Sequence, residues 1–156
     1  MSNSNLSPPA VEVDSALAHR FILTQVERFT LVFPATWIAE IIRIDRSQIL
    51  DLPFYDPILT GIIHYNGQIT PLIASARLLE VAPRSLPERL VVMRLDRGAE
   101  GLQNVGLIVD RAIGSTTQSE LPSELFSSNR SGSTIMMESS LVPSNLWQPK
   151  YWSSGN

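Results

Sequence analysis

The sequence predicts an all-β domain, a barrel or a sandwich, and three observations carry that expectation. Short β-rich runs recur between turn residues: RFILTQV, FTLVF, GIIHY, QITPLI, RLVVMRL and NVGLIV. No apolar pattern of helical period lasts longer than about one turn. The pair Asn66-Gly67 separates two of the runs, and Asn-Gly is the strongest short-range hairpin signal, because a type I′ turn needs φ > 0 at both central residues.

Composition bounds the possibilities. A chain of 156 residues suits one domain. With 44% hydrophobic and 17% charged residues it is too apolar to read as disordered. No apolar run approaches the roughly 18 residues of a membrane-spanning helix. The opening MSNSNLSPPAVEVDSALAH has neither a basic start nor an apolar centre, so it does not read as a secretory signal. Cysteine is absent, which excludes a disulfide scaffold and thiolate chemistry and fits a reducing, cytoplasmic setting. Net charge is −3, and the arginines are scattered among acids rather than gathered into the basic patch a nucleic acid requires. Arginine outnumbers lysine eleven to one, a preference that fits protein–protein contact.

Taken in order, residues 1–18 are rich in Ser, Asn and Pro and read as a flexible lead-in, with residues 19–156 as the folded domain. RFILTQV and FTLVF, parted by Glu27-Arg28, predict a hairpin that Pro34 ends. PATWIAEIIRI predicts one helical turn running into a strand. GIIHY and QITPLI form the second hairpin around Asn66-Gly67. Pro71, which cannot donate to a ladder, puts that part of its strand at a sheet edge or a bulge. SARLLEV predicts a helical turn, and the two-proline loop APRSLPE divides lobes of roughly 19–82 and 88–156. RLVVMRL and NVGLIVDRAI supply further strands. A long Ser- and Asn-rich connection follows, TTQSELPSELFSSNRSGS, with STIMMESSLV and LWQPKYW as two closing strands.

The residues offer little catalytic chemistry. His19 and His64 are the only histidines, no zinc-ligand spacing occurs, and neither a nucleophile elbow nor a phosphate-binding glycine loop is present. Neither an enzyme nor a bound cofactor or metal is expected. For His64 a hairpin or surface role outweighs metal binding or proton transfer. Trp147, Tyr151 and Trp152 fit either a last strand packed on the domain or an exposed anchor for a partner.

The ordered combination of segments resembles the CheW-like domain family, adaptors of bacterial chemotaxis arrays. RFILTQVERFTLVFPATWIAEIIRI is similar to the family's first two strands, short helix and V-x-E-I-like segment, with Glu40 at the acidic position. GIIHYNGQITPLIASARLL is similar to G-x-x-N-x-R-G-x-x-x-P-x-x-D-L, with Gly61, Gly67 and Pro71 in register. VGLIVDRAIG is similar to V-G-x-x-V-D-x-x, with Gly106 and Asp110 in place. The resemblance covers residues 20 to 120 and fades after Gly114.

That resemblance implies two SH3-like β-barrel lobes sharing an apolar groove, no catalysis and no cofactor. It also implies two partners: the regulatory domain of a CheA-type histidine kinase and the cytoplasmic tip of a chemoreceptor, a methyl-accepting protein. The partner-facing surface expected here is Glu40, Ile41 and Ile42 with the hairpin end His64, Tyr65 and Asn66. Gly61, Gly67, Pro71, Gly106 and Asp110 serve as turn and framework residues. The chain departs from the pattern where the family has arginine, at Asn66, and where it has aspartate, at Ala74. Asn cannot replace the charge or the planar donor fork of Arg, so the receptor contact is expected to differ. Outside signalling, the alternative is a small-ligand or oligosaccharide-binding β-barrel with Trp147 and Trp152 as its platform.

Overall fold

A computed structural model describes residues 19–53, 55–81, 85–127 and 134–136. The lead-in 1–18, the segment LWQPKYW and the aromatics Trp147, Tyr151 and Trp152 lie outside these residues.

The first hairpin forms as expected. β1 (Arg20–Val26) and β2 (Phe29–Pro34) pair antiparallel with Val26 opposite Phe29. Glu27 turns the chain at φ 54, and its N–H donates to Asp110 Oδ2 at 2.6 Å. Pro34 leads into a 3-10 turn, Ala35–Trp37, and then β3 (Ile38–Asp45). β4 (Leu59–Tyr65) and β5 (Gln68–Ala74) flank Asn66 and Gly67 at φ 48 and 75, a left-handed pair that makes the expected type I′ turn. A one-turn helix, Ser75–Leu78, follows. The remaining strands are β6 (Arg89–Leu95), β7 (Gly106–Val109), β8 (Arg111–Thr117) and β9 (Thr134–Met136).

These strands make two mixed sheets, in the orders β8-β1-β2-β9 and β3-β6-β7-β5-β4. The expected barrels do not form. Closure would need a ladder between the end strands of each sheet, and the described residues contain none between β3 and β4 or between β8 and β9. The chain leaving β3 turns away instead. Asp45 caps a 3-10 turn, Arg46–Gln48, and Gln48 Oε1 accepts the Asp45 N–H at 2.8 Å. Leu50 then meets Ile62 of β4 in an isolated bridge of two hydrogen bonds, each 2.9 Å.

Three apolar clusters hold the layers. Leu31 and Phe33 of β2 pack against Ile73, Met93, Leu95 and Leu107 of the second sheet, which forms the inter-sheet core. The opposite, concave face of the second sheet carries Ile42, Ile44, Ile63, Leu72, Leu90, Val92 and Ile108. A sheet covered on both faces explains why RLVVMRL and GLIV are nearly unbroken apolar runs. Under the first sheet, Phe21 and Val32 meet Leu125. Phe126 adds an edge-on contact to Phe21 with ring centroids 5.7 Å apart.

Pro71 lies on the part of its strand that is open on one side, as expected for a residue with no N–H to donate. β5 is an inner strand with β4 on one side and β7 on the other. The parallel ladder to β7 begins only at Leu72↔Gly106, one residue past the proline. Before that point Asn104 takes over the role of a ladder rung. Its Nδ2 donates to Ile69 O at 2.9 Å and its Oδ1 accepts from the buried Thr70 hydroxyl at 3.0 Å. Asn104→Ala would remove both bonds and leave the Thr70 hydroxyl buried without this partner. A loss of about 1–3 kcal/mol is expected. Urea unfolding should show a lower midpoint at unchanged slope.

Candidate partner-binding face

The second sheet curls until its two end strands approach at the hairpin end, and side chains rather than a ladder span the gap. On β3, Glu40 lies opposite Arg94 of β6 in the antiparallel register. Arg94 Nη1 stands 3.0 Å from Glu40 Oε1, and Tyr65 Oη of β4 donates to Glu40 Oε2 at 3.0 Å. The Arg94 guanidinium lies 5.2 Å from the centroid of the Tyr65 ring, in cation–π range. Both carboxylate oxygens are thus engaged inside the molecule. The hydrogen bond to Glu40 is the first cause holding the Tyr65 phenol above its ordinary 10.0, with burial and the Glu40 charge adding and Arg94 opposing. Because folding raises this pKa, the hydroxyl's contribution to stability is complete below 10.0 and fades as pH rises through the raised value.

The other residues singled out in the sequence divide between surface and framework. Ile41 is 42% exposed, whereas Ile42, its neighbour, is 8% exposed in the concave core. A bulge between Ile38 and Glu40 sets that phase. His64 and Asn66 are exposed, so the hairpin tip presents no arginine. Gly61 and Gly106 sit where neighbours crowd in. A Cβ on Gly106 would lie 2.6 Å from Leu72 Cδ2 and 2.7 Å from Val92 Cγ1. Asp110 joins the sheets: its carboxylate holds the Glu27 turn, and its own N–H donates to Gln25 O at 2.9 Å.

In the sequence Arg94 is one of eleven scattered arginines. The signal was its alternation, since Leu90, Val92 and Arg94 share one face of β6 and the first two are core residues. Asn104 had no comparable signal, because a loop asparagine is ordinary until the ladder beside it is known to be short.

A cleft of about 280 Å³ opens at the other end of the sheets. Val26, Ala76, Leu86 and Val109 line it together with Arg77 and Arg89. Among the described residues no group of three or more His, Cys, Asp or Glu side chains could hold a metal ion, and no helix is long and apolar enough to cross a membrane.

Two mixed β-sheets packed face to face, with a side-chain cluster at one end and a cleft at the other, define a small β module. The family model described as the CheW-like domain matches residues 20–139, and the chain belongs to that family. CheW-like domains are non-catalytic scaffolds, generally involved in chemotaxis-type signalling. Proteins of the family generally bridge receptors and CheA kinases. Among solved structures, the chain is similar to the scaffolding protein TtCheW from Thermoanaerobacter tengcongensis, with a TM-score of 0.53 and 19% identity. That likeness covers 64% of this chain and 65% of the other, so the chain spans just under two thirds of that protein's length. No curated protein matches the chain significantly.

Proposed function

We propose that this chain is a cytoplasmic coupling adaptor, joining the cytoplasmic tip of a chemoreceptor to the regulatory domain of a CheA-type histidine kinase. The observation that carries this reading is the β3–hairpin face, where exposed Ile41 accompanies an uncharged tip of His64 and Asn66 beside the Glu40–Tyr65–Arg94 cluster. An exposed apolar side chain and free strand edges add protein contacts without an active site. Such contacts are modest one at a time, and an array of monomers multiplies them. The test is calorimetric titration of the purified protein against a kinase regulatory domain and, separately, a receptor-tip fragment. Saturable one-to-one binding to both supports the reading. Folded protein that binds neither overturns it and favours the small-ligand alternative, although a cleft of about 280 Å³ is small for that purpose.

Asn66 is the position that sets the receptor chemistry. Asn66→Arg adds a cation and a donor fork at the exposed tip, and a charge-assisted bond gained there is worth about 1.5–3 kcal/mol. Affinity for the receptor-tip fragment is therefore expected to change by about tenfold or more. An unchanged dissociation constant would show that the tip residue takes no part in the contact.

A further inference from the structure

We propose that Arg94 is a positioning residue for this partner-facing end: it holds Tyr65 on Glu40 across the unladdered side of the second sheet and so fixes the hairpin tip against β3. The inference rests on the adaptor reading for its functional meaning, but its geometry stands independently.

Between β3 and β4 the described residues contain no ladder, and the nearest backbone tie is the Leu50–Ile62 bridge, three residues short of Tyr65. Beyond that bridge, the contact between Tyr65 and Glu40 keeps the hairpin end in place. Arg94 braces this contact from behind. It pairs with the Glu40 oxygen that Tyr65 does not use and lies against the Tyr65 ring. Its side chain is only 15% exposed, against 36% for Glu40, so it is no free contact for a partner. Core packing gives no reason for an arginine here. Leu90 and Val92 are its aliphatic predecessors on the same face, and a third apolar residue would extend their stripe. Instead the guanidinium is buried with Nε lacking a hydrogen-bond partner among the described residues, a cost an apolar residue would avoid. What the arginine adds is geometry: it organises Glu40 and Tyr65 at once. The cation near this hairpin is therefore supplied from β6, while the tip itself carries Asn66.

The test uses Arg94→Met, which keeps volume and continues the apolar stripe, and Arg94→Lys, which keeps charge but not the fork. The first readout needs no partner. Tyr65 is titrated by ultraviolet absorbance, isolated by subtracting a matched Tyr65→Phe protein. Arg94 as a neighbouring charge lowers this pKa, so its simple removal would raise the pKa further. If Arg94 instead holds the phenol on Glu40, Arg94→Met releases it and the pKa falls back toward 10.0. A fall supports the proposal, and a rise or no change overturns it. The second readout is binding of the receptor-tip fragment. A loss of tenfold or more is expected in Arg94→Met, partly restored in Arg94→Lys and absent when Glu40→Gln is already present. Wild-type affinity in folded Arg94→Met would overturn the positioning role. A wild-type protein that binds no receptor-tip fragment would sink the receptor half of the adaptor reading alone, leaving the tyrosine titration to decide on Arg94.

Discussion

Phe33→Ala is expected to remove about 3–5 kcal/mol of folding stability, the usual cost of emptying a buried aromatic site. Phe33 is fully buried, and it reaches from β2 into the inter-sheet core beside Ile73, Met93 and Leu107. Those three belong to β5, β6 and β7, all of the other sheet, so the truncation empties the contact that holds the two sheets together. A domain with about 5–15 kcal/mol in total would lose a large share of its stability. Chemical denaturation followed by tryptophan fluorescence checks this, with Ile113→Ala as a control. Ile113 is 51% exposed, and truncating it should change stability by no more than about 0.5 kcal/mol. A loss below 1 kcal/mol for Phe33→Ala would mean that the sheets are held by something other than this core.

Gly61→Ala is the second large effect. A Cβ there would fall 2.6 Å from the Leu50 carbonyl oxygen and 2.6 Å from Ile49 Cγ2. The carbonyl belongs to backbone that is itself bound to Ile62, so it cannot yield as a side-chain end would. Overpacking of this kind costs about 1–3 kcal/mol, and losing the two bridge bonds adds about 0.5–1.5 kcal/mol each. Amide exchange locates the damage. The Leu50 and Ile62 amides should lose protection first, and retained protection at Ile62 would show that the bridge tolerates a methyl group.

What could be read from the sequence was local. Asn66-Gly67 dictates its turn through backbone sterics, and Glu27-Arg28 and Pro34 delimit β1 and β2 by the same kind of short-range rule. Closure of the sheets is a long-range matter of which edges meet, and strands of equal spacing serve an open sheet as well as a barrel. Pro71 belongs with the local rules: its missing N–H marks the part of β5 that has no neighbour on one side, and β7 begins beside Leu72. On β3, Ile38, Ile41, Ile42 and Ile44 support two opposite phases. The bulge before Glu40, invisible in the sequence, turns Ile42 inward and Ile41 outward. The Ser-rich stretch after Thr117 reads as a weak connection, yet it contains the 3-10 turns Gln118–Glu120 and Ser123–Phe126; Leu121, just after the first, and Leu125, within the second, cover the first sheet. The Glu40–Arg94–Tyr65 cluster draws on three strands, and no single stretch of sequence announces it.

The two sheets differ in how the chain supplies them. All five strands of the second come from the continuous stretch 38–109, whereas the first unites β1 and β2 with β8 and β9, so that Arg20 waits for Thr117 as its ladder partner. During synthesis the second sheet can therefore assemble as soon as β7 leaves the ribosome. The β1–β2 hairpin, with Leu31 and Phe33 on one side and Val32 on the other, emerges before the second sheet and completes its own sheet after it. Pairing over such a sequence separation is slow, and an open edge on β1 during that interval invites pairing with other chains. The interval between the emergence of β1 and that of β8 is thus the period in which a nascent chain of this protein most needs a chaperone.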